Sequence, residues 1–229
     1  LGLRGCNLTL PHKQMALSVV DRVEPLARRV GAVNTIIVGA DGRLEGRNTD
    51  VYGFRENLRE AAPDWKAAAG PAVVLGAGGA GRAVVAALIE AGVPEIRIVN
   101  RTLARAESVA SDLAADGTRI TIHPWGGRDA AQRDAGLLVN ATSLGMAGEG
   151  ALDIELSGLS PSAVVADIVY VPLETGLLAA ARRRGHRTVD GLGMLLHQGR
   201  PAFLAWFGVA VSVTRELRAA IMTTLASAQ

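Results

Sequence analysis

The chain has 229 residues and a mass of 23.7 kDa, a size for one large domain or two small ones. With 49% hydrophobic and 20% charged residues it is no disordered chain, and its longest apolar stretch, Phe203 to Val213 broken by Gly208 and Ser212, falls well short of the ~20 residues of a membrane span. A net charge of +2 is too weak a field to argue for nucleic acid, and the single Cys6 allows no internal disulfide, so with no signal peptide at the start a cytoplasmic protein is expected.

The first 66 residues are mixed in pattern. Asn7–Leu10 alternates and stops at Pro11. Val33–Val38 and Arg43–Arg47 flank Ala40-Asp41-Gly42, a turn signal between two strands. With the turn centred between Asp41 and Gly42, antiparallel pairing sets Asn34 opposite Thr49. Asn34, Asn48 and Asp50 then gather at the open end of the hairpin, and a slip of one residue does not separate them.

From Gly70 to about Asp190, strands and helices alternate. Strands are expected at Ala72–Leu75, Ile96–Val99, Ile120–Ile122, Gly136–Ala141, Val164–Ile168 and Arg187–Val189. Helices are expected at Ala80–Ala91, stopped by Gly92-Val93-Pro94, at Leu103–Ala115, and at Glu174–Arg184 before Gly185. Strands that are apolar on both faces and separated by helices imply a parallel sheet covered on both sides. From Gly191 to the end the pattern is helical, with Asp190 placed to cap its start.

Gly76-Ala77-Gly78-Gly79-Ala80-Gly81 contains G-x-G-x-x-G between an expected strand and an expected helix, the context in which it reads as a dinucleotide fingerprint. The helix start would offer free N–H groups to a pyrophosphate; an ordinary glycine-rich turn is the plainer alternative. The second strand of this unit runs into Asn100-Arg101-Thr102, with Arg105 one turn on. An acidic residue here would bind a ribose hydroxyl, whereas two guanidiniums and a threonine suit a 2′-phosphate. That favours NADP over NAD, unless both arginines are simply solvated.

Of 24 cationic side chains, 22 are Arg and only two, Lys13 and Lys66, are Lys. Arginine stays protonated, whereas lysine can give up a proton. Hydride delivery to a ketone builds charge on its oxygen, so some group must donate a proton there, and Lys13 with Asp50 beside it can do so. Spacing leaves a second reading open, with Lys13 a surface charge opening a helix and Asp50 the N-cap of a helix around Phe54–Ala61. The four histidines and Cys6 show no metal-ligand spacing, and no metal is expected.

These segments together resemble the shikimate dehydrogenase family. The resemblance rests on Asn7-x-Thr9-x-Pro11-x-Lys13, Gly31-Ala32-Val33-Asn34-Thr35, Gly46-Arg47-Asn48-Thr49-Asp50, Gly76–Gly81 and Asn100-Arg101-Thr102 with Arg105. It continues through Asn140–Met146, Asp167–Tyr170 with Pro172, and Asp190–Leu195 with Gln198. It implies an α/β fold: a Rossmann-type NADP domain (51–190) and a smaller α/β substrate domain (1–50 with 191–229), with a cleft between them. It further implies reversible NADPH-linked reduction of 3-dehydroshikimate to shikimate, a step in aromatic amino-acid biosynthesis, by a monomer or homodimer.

By motif match, Lys13 and Asp50 would be catalytic. Thr9, Asn34, Asp50 and Gln198 would hold substrate hydroxyls, and Tyr170 would lie near the carboxylate. Gly76 to Gly81, Asn100, Arg101, Thr102 and Arg105 would bind the cofactor's phosphates. Gly191 and Met194 would sit by the nicotinamide, near the Asn140–Met146 loop, and Thr142, Ser143, Met146 and Ile168 would be further cofactor-binding residues. The family's Ser-x-Ser motif, which grips the carboxylate and precedes the first of these segments, has no counterpart in place here; an incomplete chain is the expectation. A quinate-using relative and a non-catalytic NADP-binding module are the competing functions.

Overall fold

The computed structural model describes residues 2–9 and 11–227. Two sheets organise the chain. The smaller, in the order β1-β3-β4-β2, is built from β1 (Gly5–Asn7), β2 (Arg22–Val23), β3 (Thr35–Val38) and β4 (Leu44–Arg47). The first strand lies earlier than the Asn7–Leu10 expected, and Leu10 is outside the described residues. Helix α1 (Pro25–Val30), with proline in its first turn, delivers the chain to β3.

The β3–β4 register pairs Thr35 with Arg47 and Val38 with Leu44, one residue away from the pairing expected. The loop is the cause. Gly39 N–H donates to the Arg43 carbonyl at 2.8 Å, which encloses three residues, and Gly42 takes the left-handed position at φ 78°.

The larger sheet is entirely parallel. Its order is β10-β9-β8-β5-β6-β7, from β5 (Ala72–Leu75), β6 (Glu95–Asn100), β7 (Arg119–Pro124), β8 (Leu137–Asn140), β9 (Val164–Asp167) and β10 (Arg187–Val189). This is the doubly wound order in which the chain reverses direction of travel at the central strand, here between β5 and β8. Helices α3 (Gly79–Glu90), α4 (Leu103–Asp112), α5 (Arg128–Ala131) and α6 (Gly176–Arg183) cover it.

Alternation along each strand divides the core. Val74, Val139 and Ala166 face the cluster that includes Val84 and Leu88 of α3, while Val73, Leu75, Leu138 and Val165 face Leu177 and Leu178 of α6. Burial on both faces is why these strands are continuous Val, Leu and Ala runs.

Helix α2 (Asp50–Ala61) leads from the small sheet to the large one, and α7 (Gly191–Phe207) leads back and packs along α2. The helical pattern after Gly191 is broken at Gly208 and resumes as α8 (Arg215–Ser227). Among the described residues no helix is long and apolar enough to cross a membrane.

Candidate active site

The end of β4, the approach to β3 and the first turn of α2 converge on one polar cluster. Asn48 caps α2: its Oδ1 accepts the N–H groups of Asp50 at 3.1 Å and Val51 at 3.3 Å, and its Nδ2 donates to the Ala32 carbonyl at 2.9 Å. Asp50 is therefore not the N-cap, and its carboxylate is free for other partners. Lys13 Nζ donates to Oδ2 at 2.6 Å, and Asn34 Nδ2 donates to Oδ1 at 2.9 Å. The Asp50 side chain is 1% exposed and that of Lys13 12%, so the pair is a buried ion pair rather than a solvated surface charge beside a cap.

The Asn34 amide is held from both ends. Its Oδ1 accepts the Thr49 N–H at 2.8 Å, which fixes the orientation of the amide. The two Nδ2 protons then face three acceptors: Asp50 Oδ1, Thr49 Oγ1 at 2.9 Å and Gln198 Oε1 at 3.1 Å. Gln198 of α7 thus joins Lys13, Asn34 and Asp50. Thr9 is exposed, and its carbonyl closes the turn before Lys13 by accepting the His12 N–H at 2.9 Å. Tyr170 is also exposed. Among the described residues, neither side chain hydrogen-bonds to this cluster.

The glycine-rich loop leaves β5 at Gly76, whose φ of 101° suits glycine alone. A Cβ at Gly81 would lie 2.2 Å from the Gly76 carbonyl oxygen, so only glycine lets the first turn of α3 fold back on the loop. At Gly78, between them, nothing lies within 4 Å of where a Cβ would be, which leaves the face of the loop open to a phosphate. Ala77 and Ala80 complete the loop around Gly79, the first residue of α3.

Asn100, at the end of β6, accepts the Ala77 N–H on Oδ1 at 3.2 Å and donates Nδ2 to the Thr102 carbonyl at 2.8 Å. It ties the glycine loop to the segment that opens α4. Arg101, Thr102 and Arg105 are exposed there, and neither guanidinium has an ion-pair or hydrogen-bond partner among the described residues. Open loop, free helix N–H groups and two unpaired cations fit a dinucleotide bearing an extra phosphate.

The loop after β8 lies alongside, where a Cβ on Gly76 would be 2.9 Å from the Ala141 carbonyl oxygen. Asn140 shapes it, accepting from Thr142 Oγ1 at 2.7 Å and donating to the Leu144 carbonyl at 3.0 Å. Asn140 Nδ2 also reaches Asp167 Oδ1 at 3.0 Å. Asp167 accepts further from Val169 N–H at 3.0 Å and Thr175 Oγ1 at 2.7 Å, with no ion-pair partner among the described residues. Burial pushes its carboxyl up to about 6, and those three hydrogen bonds oppose the rise.

Ser143 is half-buried and Met146 exposed on the same loop. Across from it, a Cβ on Gly191 would lie 2.2 Å from the Ile168 carbonyl oxygen, so α7 begins directly against that segment, with Met194 buried one turn on. Finally, a Cβ on Gly79 would sit 3.5 Å from Lys13 Cβ. Lys13 therefore packs against the first turn of α3, and the polar cluster adjoins the glycine loop.

Sequence reasoning gave no account of Arg200. Its Nη1 donates to Tyr52 Oη at 2.7 Å and its Nε to the Val211 carbonyl at 2.8 Å, bracing α2 against the chain beyond α7. It also passed over Arg82, which is buried between α1 and α4.

Residues 1–36 match the family model described as shikimate dehydrogenase substrate binding domain, and residues 59–143 that described as shikimate / quinate 5-dehydrogenase. The chain is 59% identical over 223 residues to the shikimate dehydrogenase (NADP(+)) of Rhodospirillum rubrum, covering 97% of this chain and 79% of that protein. Shikimate 5-dehydrogenase from Thermus thermophilus, solved with NADP(H) and shikimate, superposes with a TM-score of 0.81 at 39% identity, covering 100% of this chain and 80% of that one. Quinate dehydrogenase from Corynebacterium glutamicum, solved with NAD, gives 0.86 at 34% identity over 97% of this chain and 78% of that one. Sequence identity along nearly the whole chain, the doubly wound sheet and the lysine–aspartate pair beside its glycine loop agree, and the chain belongs to the shikimate dehydrogenase family.

Proposed function

We propose that the protein catalyses the reversible reduction of 3-dehydroshikimate to shikimate with NADPH, in the cytoplasm. The single observation that carries this is the buried Lys13–Asp50 pair packed against the first turn of α3. When bound, the cofactor supplies a hydride to the ketone carbon. As the carbonyl π electrons move onto oxygen, the Lys13 ammonium gives that oxygen a proton; in the oxidative direction the amine takes the proton from the hydroxyl. Asp50 orients the ammonium and balances its charge.

We assign Thr9, Asn34, Asp50 and Gln198 to the substrate hydroxyls and Tyr170 to the neighbourhood of its carboxylate. Gly76 to Gly81 would take the pyrophosphate, with Asn100 to Arg105 at the 2′-phosphate. Thr142, Ser143, Met146, Ile168, Gly191 and Met194 would surround the nicotinamide. The division we infer is a substrate domain of 1–50 with 191–229 and a cofactor domain of 51–190, supported by the two separate sheets.

The test is NADPH formation by the purified protein from shikimate and NADP⁺. Turnover with NADP⁺ should exceed that with NAD⁺, and shikimate should outrun quinate. Replacing both Arg101 and Arg105 by Gln should raise KM for NADP⁺ about tenfold or more while leaving KM for NAD⁺ nearly unchanged, because only the 2′-phosphate loses charge-assisted partners. A quinate oxidase working with NAD would call for an acidic side chain at the end of β6, where this chain has Asn100.

A further inference from the structure

We infer that Arg82 is a positioning residue that locks the substrate-binding segment to both cofactor-binding helices and so sets the geometry of hydride and proton transfer. The inference rests on the reaction proposed above and adds a residue to it. Arg82 stands in the first turn of α3, directly after Gly81, and its side chain is 6% exposed. Its backbone N–H donates to the Gly78 carbonyl at 2.9 Å and so belongs to the glycine loop itself.

Its guanidinium faces the other way. Nε donates to the Val30 carbonyl, at the C-terminal residue of α1. Nη2 pairs with Asp112 Oδ2 at 2.5 Å, at the last residue of α4, and Nη1 reaches Ser108 Oγ at 3.4 Å. Three helices thus meet on one side chain. The end of α1 leads through Gly31 into Asn34; α3 carries the glycine loop; α4 begins beside Arg101 and Arg105.

The electrostatics suit the place. A cation at the carbonyl end of α1 meets the negative pole of that helix. The guanidinium beside Asp112 holds that carboxyl below the usual range. Contact is close as well: a Cβ on Gly31 would lie 2.8 Å from Arg82 Nη2, so Gly31 lets the guanidinium lie flush against the α1–β3 connection. Lysine cannot replace this, because one ammonium does not span the Val30 carbonyl and Asp112 as a planar fork does.

The experiment compares wild type with Arg82→Lys and Asp112→Asn. Thermal unfolding, equilibrium NADPH binding by fluorescence, shikimate binding to the NADPH-loaded protein (a pair that cannot react) and steady-state shikimate oxidation are measured on each. Arg82→Lys should stay folded and bind NADPH within about threefold of wild type, yet lose about tenfold or more in kcat and in shikimate affinity of the loaded protein. Asp112→Asn, which keeps the Val30 bond, should move the same way by less. Arg55→Gln, which breaks the bridges from Arg55 to Glu90 of α3 and to its neighbour Glu56 and removes its cation from the Tyr52 ring, should change none of these.

Wild-type kcat and shikimate affinity in Arg82→Lys would overturn the inference. So would losses that merely track the folded fraction or NADPH affinity. Should Arg82→Lys fail to fold, Asp112→Asn decides by the same criteria. Absence of turnover by the wild type overturns the proposed reaction and this inference together, whereas turnover with an unaffected Arg82→Lys overturns the inference alone.

Discussion

Lys13 and Asp50 serve two ends, and the two can be separated by mutation. Deleting the amine removes the proton donor, which should lower kcat by about 10²- to 10⁴-fold. It also leaves the Asp50 carboxylate, 1% exposed, with the Asn34 amide as its remaining side-chain partner among the described residues. An uncompensated buried charge costs on the order of 3–5 kcal/mol, so Lys13→Met should melt at a clearly lower temperature. Lys13→Met combined with Asp50→Asn removes the stranded charge as well. The double variant should regain most of the lost stability and none of the lost rate, with calorimetry and NADPH formation as the two measurements. A double variant that recovers turnover would remove the proton-transfer role.

Between elements, the approach of α2 and α7 decides where Gln198 stands. A Cβ on Gly53 would meet the Met194 carbonyl oxygen at 2.7 Å and Gln198 Cβ at 2.8 Å, so the two helices touch through glycine. Gly53→Ala must push α7 outward, at about 1–3 kcal/mol of overpacking. That displaces Gln198 from the 3.1 Å it keeps to Asn34. The expected signature is a KM for shikimate raised several-fold with KM for NADP⁺ near wild type, read from initial rates at varied concentrations of each; equal effects on both would contradict it.

This level of organisation is also where sequence reasoning succeeds and fails. The Ala72–Leu75 strand falls where its apolar run and flanking glycines put it, because a buried parallel strand carries its signal locally, whereas the edge strand Arg187–Val189, only partly buried, is marked by Gly185 closing the helix before it. The gathering of Asn34, Asn48 and Asp50 was legible for a similar reason: it survives a register error of one, and the actual register differs by one. Arg82 left no local trace. Its partners lie 52 and 30 residues away, on α1 and α4, and only the tertiary fold brings them together. Asn48 is the opposite case: its capping of α2, which frees Asp50 for Lys13, reaches N–H groups only two and three residues along the chain.

At the scale of the whole molecule, Asp167 joins the larger sheet to its covering layer, through Asn140 of β8 and Thr175 at the start of α6, and it does so as a buried carboxyl with no counter-charge among the described residues. Its folded value of about 6 stands above the ordinary 3.8. Between those two values the folded protein binds more protons than the unfolded one, so this group makes stability fall as pH rises through the window. The full effect is on the order of 3 kcal/mol, present below pH ~4 and gone above pH ~6, which leaves about 1 kcal/mol between pH 5 and pH 7. Asp112 has the opposite sign, since a lowered carboxyl adds stability that is lost only as the solution becomes more acidic. Asp167→Asn keeps every contact if Thr175 turns its hydroxyl to accept from the new amide, and it removes the titration. Denaturant unfolding of wild type and Asp167→Asn at pH 5 and pH 7 isolates the group, because all other carboxyls cancel in the comparison. The variant should lose the wild type's extra stability at pH 5 relative to pH 7; two proteins with the same pH dependence would show that Asp167 stays ionised within the fold.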